Sequence, residues 1–163
     1  MIPNLEQIVC AFDFNEESRS ALTLSSMLAM QSSACLDVVH IVPYLALTGG
    51  FLMMNQPMIN SIYHDYTNDG DYKKALELAI MSSVPKNLKA TIHILLGARI
   101  HQLLNFLRES QADLLVMGMT KKTSWWESIF LPPIPKKIIS AAPCPVLVIP
   151  TDLIHGDSYA GST

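Results

Sequence analysis

The stretch Ile8-Val9-Cys10-Ala11-Phe12-Asp13 is a short apolar run without alternation, closed by an acid. Uninterrupted apolar residues suit a strand buried on both faces, as the strands of a parallel sheet are. Asn15 follows as a helix N-cap, and Glu16 and Glu17 occupy a first turn where carboxylates favour the helix dipole. Ala21, Leu22, Leu24, Met27 and Leu28 then recur at helical period and predict the inner face of a first helix. A buried strand feeding directly into an amphipathic helix is half of a βαβ unit.

The same alternation continues along the chain. Strands are predicted at Leu36–Val42, Thr91–Leu96, Asp113–Gly118 and Val146–Pro150. Helices are predicted from about Asp71 to Ser83 (Ala75, Leu76, Leu78 and Ala79 inward), around Ile100, Leu103, Leu104 and Leu107, and over Lys136–Ala141. The long stretch 44–70 is expected to hold a short helix near Pro57–Tyr66, beside the apolar segment Phe51–Met54. Strands alternating with helices predict an α/β fold, a doubly wound, Rossmann-like parallel sheet with helices on both faces. Ligands of such sheets bind beyond the carboxyl ends of the strands, where the strand order switches. Asp13, the residues after Val42, and Gly118 onward are the places to look.

The chain has 163 residues, 50% of them apolar, enough for one sizeable core. One domain is expected over residues 1–152, with a flexible polar tail over 153–163. The balance of 11 Lys+Arg against 14 Asp+Glu argues against nucleic acid as a partner. No apolar run approaches the ~20 residues that span a bilayer, and the first residues lack the basic region of a signal peptide. A cytoplasmic protein is expected. Cys10, Cys35 and Cys144 form no C-x-x-C pair and read as buried free thiols, and no clustered Cys/His pattern suggests a metal.

Taken together, the opening strand with Asp13, the His40-Ile41-Val42 strand end, Ala112-Asp113-Leu114-Leu115-Val116-Met117-Gly118 and Ala142-Pro143-Cys144-Pro145-Val146-Leu147-Val148-Ile149-Pro150 resemble the universal stress protein family over nearly the whole chain. The resemblance implies a five-stranded sheet and a stress-response role. It also implies dimers, often paired through the last strand. A terminal strand at a sheet edge carries unpaired N–H and C=O groups that a second copy can satisfy, so a homodimer through Val146–Ile149 is expected.

Many members of that family bind ATP or another adenine nucleotide, through a loop of glycine, two residues, glycine, nine residues, glycine and then serine or threonine. Gly118 matches the first glycine, but Lys121 stands at the second, and Leu131-Pro132 (or Pro132-Pro133, with one residue inserted) at the third and the hydroxyl. Proline has no N–H to offer a phosphate. Asp13 matches a position near the adenosine and Ile41 one lining the adenine, while Phe14-Asn15 replaces the usual glycine-serine pair and sets a bulky side chain beside the pocket, which counts against a ligand there. The resemblance thus assigns a vestigial nucleotide pocket to Asp13, Ile41, Gly118, Thr120 and Lys121. The turn Thr120–Ser124 can hold an anion, but its plainer reading is a solvated basic turn.

Trp125, Trp126 and Phe130 stand where the loop would be. Their plainer reading is packing on the protein's own surface; the alternative is a surface for a protein partner. His40 and His93 read as structural strand histidines, and no nucleophile elbow or Walker loop is present. The reading is a non-catalytic regulatory or interaction module without a nucleotide cofactor. The alternative is a sensor that binds ATP, ADP or AMP through a variant loop.

Overall fold

The computed structural model describes residues 5–43, 70–119 and 134–150, apart from the side chains of Tyr72, Ile134 and Pro135. The expectations for a helix near 57–66, for Phe51–Met54 and for the 153–163 tail lie outside the described residues.

Among the described residues, five strands alternate with four helices: β1 (Gln7–Ala11), α1 (Glu16–Ser32), β2 (Cys35–Val42), α2 (Asp71–Met81), β3 (Ala90–Leu96), α3 (Arg99–Glu109), β4 (Leu114–Met119), α4 (Ile134–Ala141) and β5 (Val146–Pro150). All pairings are parallel, in the order β3-β2-β1-β4-β5. Successive side chains of a strand point to opposite faces, and the two cores follow that rule. Ile8, Cys10, Val38 and Val116 pack with Ala21 and Leu22 of α1 and Ile80 of α2. Val9, Val39, Leu115 and Met117 pack on the opposite face with Leu103, Leu104 and Leu107 of α3 and Ile138 of α4. Each fully buried Leu or Ile contributes roughly 1.5–3 kcal/mol. The doubly wound α/β architecture predicted from the alternation is therefore the one the chain adopts.

The central strand is fixed at its start by one carboxylate. Asp113 Oδ2 accepts hydrogen bonds from the backbone N–H groups of Glu6 and Gln7, each at 2.9 Å, and the Asp113 N–H donates to the Gln7 carbonyl. Next to it, the Gln7 amide donates to Asp37, whose other oxygen meets His93 Nε2 at 3.1 Å. His93 is thereby a structural histidine, stacked at a tilt on Phe106 of α3.

Two helices bury a face that matches the predicted one only in part: Ala21, Leu22, Leu24 and Leu28 of α1 and Leu76 of α2 face the core as predicted. In α1 the sheet side carries Ser18, Ala21, Leu22, Ser25, Ser26 and Ala29, and Met27 is 53% exposed. Small residues let the helix approach the strands closely, and buried serine hydroxyls can be satisfied on the helix's own carbonyls, as Ser25 is on Leu22. In α2 Leu76 and Ile80 face inward, whereas Leu78 is 71% exposed. Apolar residues surround this helix, so hydrophobicity alone does not choose its phase; the partners Val42, Ile94 and Leu96 do.

The cysteines also divide. Cys10 is buried, Cys144 is half-buried and Cys35 is exposed, so only the first matches the expectation of a buried thiol. Burial pushes the Cys10 thiol up to about 12 and raises that of Cys144. The thiolate is the reactive form. A thiol reagent at neutral pH is expected to modify Cys35 of the native protein first, and Cys10 only on unfolding. Peptide mapping after timed alkylation checks this order.

Candidate functional site

The order β3-β2-β1-β4-β5 reverses direction between β1 and β4. The helices α1 and α4, which come after these two strands in the described chain, pack on opposite faces of the sheet, which opens a crevice at the carboxyl ends. A cleft of ≈ 180 Å³ lies at that point. Its apolar side is made by Val39 and Ile41 of β2, Leu103 of α3, Met117 of β4 and Ile138 of α4. Its polar side holds Asp13, Asn15, Ser18 and Arg99, and Gly118 forms part of the wall.

The structure thus brings Asp13, Ile41 and Gly118 together, as residues 28 and more apart in sequence. Thr120 and Lys121, with Trp125, Trp126, Phe130, Pro132 and Pro133, lie outside the described residues. Ser18, Leu103 and Ile138 were legible only as helix-face residues. Arg99 was missed. Its signal was its place, two residues after the glycine that ends β3 and hence at the same edge as Asp13. Gly97 has φ 134°, a conformation open to glycine, and turns the chain directly from β3 into α3.

Arg99 Nη1 stands 3.4 Å from Asp13 Oδ2, both side chains being 43% exposed. The other carboxylate oxygen is 4.0 Å from Nδ1 of His40. That nitrogen lies 2.9 Å from the carbonyl oxygen of Phe12, so it carries the proton and donates it there. Asn15 Oδ1 accepts from the Ser18 N–H at 2.8 Å, and the Ser18 hydroxyl donates to the Asn15 carbonyl. The first turn of α1 is thereby closed on itself.

Phe14 does not obstruct the cleft, contrary to what its bulk suggested. It adopts a left-handed backbone with φ 58°, a conformation uncommon outside glycine. Its ring turns away and packs edge-on against Phe12 at 4.9 Å and His40 at 5.0 Å. These contacts offset the backbone cost, typically about 1–2 kcal/mol.

Gly118 answers to packing. A Cβ placed on it would fall on the carbonyl carbon and oxygen of Glu17 in the first turn of α1. Any side chain at this position must push the helix off the sheet.

The profile of the universal stress protein family matches residues 4–150. The chain belongs to this family. It is 26% identical to universal stress protein YxiE of Bacillus subtilis (strain 168) over 148 residues, which cover 88% of this chain and 97% of the relative. Among solved structures it resembles a universal stress protein in complex with cAMP, with a TM-score of 0.60 and 16% identity over 91% of this chain and 99% of the other. It also resembles the universal stress protein of Archaeoglobus fulgidus in complex with dAMP, with a TM-score of 0.54 and 19% identity over 91% of this chain and 99% of the other. At these identities the two structures speak for the fold. Among the described residues no helix is long and apolar enough to cross a membrane, and no group of three or more His, Cys, Asp or Glu could hold a metal ion.

Gly118→Ala is expected to destabilise the fold by about 1–3 kcal/mol, the usual cost of overpacking, with no ligand present. Urea unfolding of the two proteins checks it. A bulkier valine at 118 is expected to cost more, so substitutions here report on packing before they report on binding.

Proposed function

We propose that this universal stress protein is a non-catalytic regulatory module that works through protein contacts and takes no nucleoside triphosphate. The observation that carries the reading is the state of the cleft. It measures ≈ 180 Å³, below the roughly 300–1,000 Å³ of typical ligand pockets. Its carboxylate is already paired with Arg99. The sequence after Gly118 supports the same reading, because lysine, leucine and prolines stand where a phosphate loop needs glycine and N–H donors. The commitment of His40 to the Phe12 carbonyl and of His93 to Asp37 supports a role without catalysis.

A second reading, an adenine-nucleotide sensor, is favoured by one observation. Asp13, Ile41 and Gly118 share a cleft at the switch point, and the similar proteins solved with cAMP and dAMP carry adenine nucleotides. Isothermal titration of the purified protein with ATP, ADP and AMP separates the two. No saturable heat with ATP is expected; micromolar affinity would establish the sensor instead.

The partner contact we propose is a homodimer. β5 lies at the sheet edge and its residues 146–148 are only half-buried. A second copy pairing on this strand would cover it. Light scattering at micromolar concentration is expected to give a dimer. A monomeric wild type refutes the pairing.

A further inference from the structure

Among the described residues, the polar side of the cleft contains few acceptors that a ligand can still use. Asn15 Oδ1 is taken by the Ser18 N–H, and the Ser18 hydroxyl is turned to the Asn15 carbonyl. Asp13 is the remaining acceptor of strength, facing an apolar wall that includes Ile41, Leu103 and Met117. A flat apolar ring carrying hydroxyl or amine donors, the chemistry of a nucleoside, matches that combination: the ring against the wall, the donors on the carboxylate.

A ligand that reaches this carboxylate competes with a cation. Arg99, at the start of α3, reaches across to Asp13 Oδ2 at 3.4 Å. A neutral ligand shares the carboxylate with the guanidinium and offers no charge in return. We propose that Arg99 is the specificity-determining residue of the cleft: by holding Asp13 it withholds from neutral nucleosides the acceptor they require. The inference rests on the nucleotide-free reading of the site and supplies one physical cause for it. Because both partners are 43% exposed, the pair is a modest barrier. Removing it has an effect of a few fold.

The test is titration with adenosine, a neutral nucleoside that bears no phosphate and so is blind to the loop after Gly118. Ligand-observed NMR gives the dissociation constant for wild type, Arg99→Gln, and the double variant Asp13→Asn with Arg99→Gln. The side chain at 99 is exposed enough for Arg99→Gln to fold, and its melting temperature verifies that. Arg99→Gln is expected to bind adenosine about fivefold more tightly than wild type, the upper range for an exposed ion pair. The double variant is expected to lose that gain. Raising the salt concentration is expected to tighten wild-type binding and to leave Arg99→Gln unchanged, since screening weakens the pair and not the neutral ligand. Arg99→Gln binding no more tightly than wild type overturns the proposal. A gain that survives in the double variant overturns it as well, because the effect would then not pass through Asp13. Micromolar adenosine affinity in the wild type would remove the nucleotide-free reading, and Arg99 would still be judged by the ratio between the two proteins.

Discussion

The first turn of α1 lies directly on β4, and much of the molecule is arranged around that contact. It is close enough that position 118 has no room for a Cβ beside the Glu17 carbonyl. The side of α1 that faces the sheet is correspondingly built from alanine and serine, with Leu22 the one large residue wholly buried. A helix seated so low brings Asn15 and Ser18 to the carboxyl end of β1. There they form the polar corner of the switch-point cleft. A glycine that looks like the first residue of a phosphate loop is thus required by packing whether or not a phosphate ever arrives.

Much of the fold was legible in the sequence because burial on both faces leaves a plain signature. β1 and β4 read as nearly continuous apolar runs, β2 as one interrupted by Asp37 and His40, and the edge strands were still marked by their glycine or proline boundaries. What was not legible has a common cause: it depends on how closely two elements approach. The serines of α1 look polar until a neighbouring strand leaves no space for anything larger. The phase of α2 is undecided while Ala75, Leu76, Leu78 and Ile80 compete, and Leu76 and Ile80 win because they meet β2 and β3. Phe14 looked like an obstacle because its left-handed backbone, which rotates the ring toward Phe12 and His40, is invisible in the sequence.

The cleft was legible in part. Asp13 and Gly118 could be placed because they stand at strand ends, which converge in this architecture, and Ile41 because it matches a position lining the adenine in the family the sequence resembles. Arg99 belongs to the start of a helix, and nothing in its neighbours distinguishes it from a solvated arginine. Only the turn at Gly97 and the distance to Asp13 give it a role. The amino end of the sheet shows the opposite case. Asp113 looks like part of a family motif, and the structure gives it a mechanical task, holding the first residues of β1 through two backbone N–H groups.

That last bond joins residues 107 positions apart, and it has a consequence for how the chain is made. β1 leaves the ribosome before the other four strands and ends up as the middle of the sheet. It can pair with β2 early, but the partner on its other side is β4. At typical synthesis rates of about 5–20 residues per second, that flank waits on the order of 5–20 seconds. During this interval a hydrophobic strand has half of its hydrogen-bonding groups unpaired. The nascent chain is therefore most prone to aggregate before residue 114 emerges, and burden on chaperones falls once β4 closes the gap.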